Sequence, residues 1–189
     1  MKRKLKIISF GLTTMLTLCL LLTSIVLVPA AEAKAVNSVK AIAEKVQEED
    51  CYLDSIVSEK HQDIAMKYCE KYDVPFELVI AVIETESGGN ADVISETRDY
   101  GLMQINISNH KWLKNTLHIK NFLDPEENIK AGCYMLSRYL KAYNGNLNLT
   151  LMSYNLGGRK AETLWKEGVR NTEYSKRIIS RYKELCEKN

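Results

Sequence analysis

The chain has 189 residues, 46% of them apolar and 26% charged, which is enough material for one globular domain with a buried core and excludes disordered, collagenous and repeat classes. Its 26 basic and 24 acidic residues give a net charge of +2, but residues 1–33 carry Lys2, Arg3, Lys4 and Lys6 against Glu32 alone. The remainder holds 22 basic against 23 acidic residues, which removes the electrostatic case for nucleic-acid binding.

Taken in chain order, the first segment is a basic start, a 22-residue uncharged stretch from Ile7 to Val28, and then Pro29 with the small-residue site Ala31, Glu32, Ala33. These are the three parts of a secretory signal peptide, with cleavage expected after Ala33. The stretch is also long enough to span a bilayer, so an uncleaved anchor is the alternative reading. Cys19 follows Leu18 rather than a small residue, which argues against a lipoprotein. The rest of the chain is expected outside the cytoplasm, in the cell wall or beyond it, touching a membrane only if the N-terminal segment is retained.

Residues 34–57 begin with Val36, Val39, Ile42 and Val46, one apolar stripe at helical spacing, and are read as a helical extension that either packs on the domain or acts as a spacer. A helix is predicted from Glu59 to Tyr72, with Ile64, Ala65, Tyr68 and Cys69 on its apolar side, ending ahead of Pro75. Leu78 to Ile83 is apolar without a break. Pro75 and Glu77 before it and Gly88, Gly89 after it favour a buried helix of about three turns over a strand. Residues 88–100 read as a loop and Gly101 to Ile107 as a short apolar piece, with at most a minor hairpin in this region. Asp124 and Pro125 announce a strong helix over Asn128 to Tyr143, stopped by Gly145; shorter helices follow near 147–155 and 159–167, and a last one over 171–187. Alternating strand patterns are nearly absent, so the fold class is all-α.

Four cysteines follow the leader, Cys51, Cys69, Cys133 and Cys186, and outside the cytoplasm they permit two disulfides in any of three pairings. No Cys-x-x-Cys or His-x-x-x-His spacing occurs, and His61, His110 and His118 are scattered, so neither a metal nor another cofactor is expected.

The apolar run ends in Glu84, Thr85, Glu86, Ser87. An acid at the C-terminal end of a helix is opposed by the helix dipole, and burial beside an apolar helix raises its pKa. A carboxylic acid that stays protonated near neutral pH is what a glycosidase needs to protonate a departing sugar oxygen. Glu84 and Glu86 are about 200° apart around a helix and cannot both face one groove. Periodicity does not choose between them, because the helix is apolar all round.

Four pieces occur in order: Glu86, Ser87; then Gly101, Leu102, Met103, Gln104; then Asn128, Ile129 with Gly132, Tyr134 and Leu136; then Ser153, Tyr154, Asn155 with Gly157. Together they resemble the catalytic domain of the soluble lytic transglycosylases, whose signature is E-S, G-L-M-Q, N-I-x-x-G-x-x-Y-L and A-Y-N followed by glycine. The resemblance covers residues 58–187, with Met135 between the block's Tyr134 and Leu136 and Ser153 in place of alanine.

This resemblance implies a lysozyme-like helical domain that cleaves the β-1,4 bond between N-acetylmuramic acid and N-acetylglucosamine in peptidoglycan, acting on glycan strands as a monomer. It implies Glu86 as general acid and then general base. Ser87, Met103 and Gln104 would line the groove, Tyr154 would position Glu86 through its phenol, and Asn155 would bind a sugar N-acetyl or hydroxyl group. Tyr174 resembles a late family tyrosine packed over the site. Goose-type lysozymes share the first two pieces but hydrolyse, with an aspartate where this chain has Asn106. Asp92, Glu96 and Asp99 nevertheless leave hydrolysis open, and a non-catalytic glycan-binding scaffold is the third reading.

Overall fold

The computed structural model describes residues 52–188; the signal-peptide or anchor segment, most of the 34–57 extension and Cys51 lie outside the described residues. Within them are seven helices and one two-stranded hairpin.

Residues 52–57, the last part of the expected helical extension, are not helical but bend across the domain. They are held there by Gln62, which is itself buried: its Oε1 accepts from Leu53 N at 2.8 Å, and its Nε2 donates to Leu53 O at 3.1 Å and Val57 O at 2.9 Å. Saturating the backbone in this way lets Leu53 and Val57 enter the core.

Helix α1 (Glu59–Tyr72) starts at Ser58, whose side chain accepts from His61 N, and stops at Asp73 in the left-handed region ahead of Val74 and Pro75. Helix α2 (Phe76–Ser87) is the centre of the domain. All six residues from Leu78 to Ile83 are fully buried, which stabilises the fold by about 1.5–3 kcal/mol for each large side chain. An all-round apolar helix needs neighbours on several sides, and α2 packs against α1 and against the last helix, α7 (Glu173–Glu187).

Strands β1 (Asp99–Tyr100) and β2 (Ile105–Asn106) pair antiparallel, Asp99 opposite Asn106 and Tyr100 opposite Ile105. Helix α3 (Ile107–Leu117) follows at once, capped by the Asn106 side chain on Ser108 N. No helix is predicted there from sequence, because only Leu113 and Leu117 are buried and the apolar stripe is thin. Helix α4 (Pro125–Ala142) is capped by Asp124 on Glu127 N and packs on α1 and α5 (Leu147–Leu156). Helix α6 (Gly158–Lys166) leads to α7, which opens with a reciprocal capping box between Thr172 and Ser175.

Cys69 of α1 and Cys133 of α4 are buried free thiols in hydrogen-bonding contact; burial first, and then Cys69, pushes the Cys133 thiol up. None of the described helices is long and apolar enough to cross a membrane.

Candidate active site

The four sequence pieces converge on a groove of about 560 Å³. Its walls come from the C-terminal end of α2 (Glu86), the loop and hairpin (Ser95, Thr97, Asp99, Gln104, Asn106), the start of α3 (Ser108, Asn109), α4 (Met135, Tyr139) and the end of α5 (Tyr154, Asn155).

Glu86 sits in the last turn of α2, just before Gly88, which closes the helix at φ 61° with its N–H on Glu84 O. Burial raises its carboxyl; a 2.5 Å hydrogen bond donated by Tyr174 Oη opposes this, the Asp99 carboxylate raises it further, and the Arg177 guanidinium lowers it. The balance pushes the group up to about 7. At neutral pH it is therefore divided between a proton donor and a proton acceptor, the condition that general acid and base catalysis requires.

Glu84 lies on the other side of α2. Burial pushes it up too, but hydrogen bonds from Arg181 and Ser55 overcome this and hold it below the ordinary carboxylate range. Arg181 grips it with two bonds, Nε to Oε2 at 2.5 Å and Nη2 to Oε1 at 2.9 Å, while Ser55 Oγ donates to Oε1 at 2.7 Å. Its charge is consumed in tying α7 and the 52–57 segment to α2. The choice that periodicity left open is thus made by packing.

The structure corrects the roles of three predicted residues. Tyr154 does not hydrogen-bond Glu86; its phenol donates to Met103 O at 2.9 Å, and the tyrosine bonded to Glu86 is Tyr174. Met103 is fully buried and lines no groove, because its thioether fills the space above Gly132. Ser87 also faces inward, donating to Ile83 O at 3.2 Å and Leu102 O at 2.8 Å, so it staples α2 to the hairpin instead of lining the groove. Gln104 and Asn155 do line it. Gln104 holds φ 46° and donates through Nε2 to Gly101 O at 2.8 Å and Val93 O at 3.2 Å, a strained backbone kept by its surroundings.

The G-L-M-Q and N-I-x-x-G pieces prove to be two halves of one interlock. Buried Asn128 accepts from Met103 N at 2.8 Å and donates to Tyr100 O at 2.6 Å and Phe122 O at 2.7 Å. A side chain at Gly101 would strike Asn128 Nδ2 at 2.6 Å, and one at Gly132 would strike Met103 Sδ at 2.2 Å. Both glycines let the hairpin seat on α4, which fixes the part of the groove wall that the hairpin forms. Ser95, Thr97, Met135 and Tyr139 are groove residues that sequence reasoning did not assign, and of the three loop acids it named, Asp99 is the one that lines the groove. Met135 and Tyr139 are one turn apart on α4, an (i, i+4) pair on a single face. That spacing was available as a signal once α4 was known to wall the site.

Comparison with known proteins agrees with this architecture. A lytic transglycosylase Slt from Pseudomonas aeruginosa, solved as an inactive mutant, superposes with a TM-score of 0.59 at 20% identity over 68% of this chain and 24% of its own. The 70-kDa soluble lytic transglycosylase from Escherichia coli gives 0.57 at 23% identity, over 64% and 23%. Both share the helical, lysozyme-like fold. Among curated relatives, the transglycosylase of Enterobacteria phage PRD1 is 31% identical over 58% of this chain and 38% of its own length. The membrane-bound lytic murein transglycosylase C of Edwardsiella ictaluri is 30% identical over 48% and 27%. The chain thus spans well under half the length of these relatives. The sequence profile described as the Transglycosylase SLT domain matches residues 63–178, more than half of the chain. With Glu86 at the end of a buried helix and the hairpin lining the same groove, the chain belongs to the Transglycosylase SLT domain family.

Proposed function

We propose that this protein is a peptidoglycan lytic transglycosylase in which Glu86 is the single proton-handling group. The observation that carries the reading is a half-buried carboxyl pushed up to about 7 at the wall of a polar groove. Protonated Glu86 gives its proton to the oxygen between N-acetylmuramic acid and N-acetylglucosamine, and the C1–O bond breaks with an oxocarbenium-like charge on the muramyl ring. The muramyl C6 hydroxyl oxygen then bonds to C1 and returns its proton to Glu86. The product is a 1,6-anhydromuramyl end, and no water is consumed.

Tyr174 donates to the carboxylate that appears after the first transfer, and Gln104 and Asn155 offer amide groups to sugar hydroxyl or N-acetyl groups. Residues 58–187 are the catalytic unit, exported behind residues 1–33 as a leader or anchor and working as a monomer on glycan strands. Hydrolysis is the second reading. Of the three loop acids that kept it open, Asp92 and Glu96 are exposed, and only Asp99 reaches the groove.

Mass spectrometry of muropeptides released from purified walls decides between them: anhydro ends support the transglycosylase, and reducing ends one water heavier mean hydrolysis. Walls that bind the protein but release nothing soluble would mean a scaffold.

A further inference from the structure

In the groove that Glu86 also lines, the β1–β2 hairpin presents a second carboxylate on an unusually full set of donors. Asp99 Oδ2 accepts from Ser95 Oγ at 2.6 Å and from Thr97 Oγ1, and Oδ1 accepts from Asn106 Nδ2 at 2.8 Å. Ser95 is doubly tied, since its Oγ also accepts the Asp99 backbone N–H at 3.0 Å and its own N–H reaches Asp99 O. All four side chains line the groove.

The plain structural reading is a staple for a short hairpin. That role is already filled: the strands pair through their backbone, and Asn128 pins Tyr100 and Met103 to α4 from behind. Three neutral donors gathered on one carboxylate stabilise its ionised form, and a carboxylate at the groove wall remains open to whatever the groove binds.

We propose that Asp99 is a second catalytic carboxylate, a fixed anion held by Ser95, Thr97 and Asn106 to face the positive charge that develops on the sugar ring when Glu86 protonates the leaving oxygen.

This rests on the glycan-cleaving reading above. Asp99 neither gains nor loses a proton in the cycle, so the atom balance of the reaction is unchanged; it lowers the energy of the cationic state electrostatically, in a groove that is partly shielded from water. The electrostatics agree. Burial raises Asp99, but the hydrogen bonds from Ser95, Thr97 and Asn106 outweigh this and hold it below the ordinary carboxylate range, while Glu86 is pushed the other way. Two carboxyls driven apart by their surroundings divide the work, one keeping the proton and the other the charge. Arg177 and Tyr174 from α7 and Tyr154 from α5 are the other ionisable groups coupled to Glu86.

Two measurements test this. In the first, Asp99→Asn is compared with wild type on purified walls, with exposed Glu96→Gln of the same loop as control. Asp99→Asn should lower kcat about a hundredfold with KM within about threefold, as loss of a preorganised electrostatic group does. Its alkaline limb should move to lower pH, because the neighbouring negative charge that helps raise Glu86 is gone. Glu96→Gln should change neither. In the second, which needs no variant, calorimetry compares binding of an N-acetylglucosamine-linked imino sugar, cationic at its ring nitrogen, with the neutral 1-deoxy sugar of the same shape. At roughly pH 5.5 Glu86 is mostly protonated, so a preference of about tenfold or more for the cation reports Asp99 alone.

Retention of more than a third of wild-type kcat by folded Asp99→Asn, or equal binding of the two sugars, overturns the assignment. If wild type releases nothing from walls, the proposed function itself falls, a result distinct from either of these.

Discussion

Glu84 and Glu86 are two residues apart on one helix turn, have the same side chain, and meet opposite fates. Glu84 faces α7 and the 52–57 segment, from which Arg181 and Ser55 respectively supply donors that hold it ionised. Glu86 faces the groove, where one phenol and a distant guanidinium are all that oppose burial and the Asp99 charge, and it is pushed up to about 7. The same carboxyl is a structural clamp on one side and a proton carrier on the other. The difference lies in how many donors each finds, and the end of the buried helix is where both kinds of surroundings come within reach of one another.

The sharpest way to break this contrast is to neutralise each acid in turn. Glu86→Gln should lower wall-cleaving activity by about three orders of magnitude, the scale of losing a general acid, while Glu84→Gln stays within a few-fold of wild type at a temperature where it is folded. Turbidity loss of a wall suspension measures both, and equal losses would erase the assignment.

Stability should show the reverse. Arg181→Met leaves the Glu84 carboxylate buried with only neutral donors, the Ser55 hydroxyl and the Ile56 backbone, and denaturant titration should register a loss of about 2–4 kcal/mol. A loss below about 0.5 kcal/mol would mean that the pair is an ordinary surface ion pair.

The contrast also has a pH signature. The Glu86 carboxyl is raised from 4.5 to about 7 in the folded state, so between those values the native protein keeps a proton that the unfolded chain has released. Native stability therefore falls as pH rises through that window, and the whole penalty stands above about 7. Glu86→Gln removes it, so the variant should be more stable than wild type by about 1–3 kcal/mol at alkaline pH and by nothing at pH 4. Glu84, held low, has the opposite sign: its contribution is present above 4.5 and is lost as pH falls through its folded value. Thermal melts of both variants across pH check the two signs together.

The smallest effect concerns Tyr174. Its hydrogen bond favours the ionised form of Glu86, so Tyr174→Phe should raise the alkaline limb of kcat by about half a pH unit and lower kcat less than tenfold. A limb that moves down would show that the phenol does not donate to Glu86.

The helices were largely legible in the sequence because local signals mark them: Ser58, Asp124 and Thr172 cap starts, Gly88 and Gly145 mark stops, and the apolar run of α2 needs a core on every side. Glu86, Gln104 and Asn155 were legible as groove residues through the order of four pieces, and for the same reason Met103 and Ser87 were misplaced. A motif reports that a residue is required without saying whether it touches the ligand or the residue behind it. Met103 is needed because its thioether fills the space above Gly132, and Ser87 because it bonds Leu102 O.

By itself the sequence determined the all-α class, the central buried helix and the presence of acids at its end, since these follow from patterns within a few turns of chain. Only the tertiary structure decided which acid keeps a proton, which tyrosine bonds it and that Asp99 shares its groove. Those outcomes depend on donors brought from Ser55, Asn106, Tyr174 and Arg181, residues far apart in the chain, and a pKa is set by the atoms that surround a carboxyl in space.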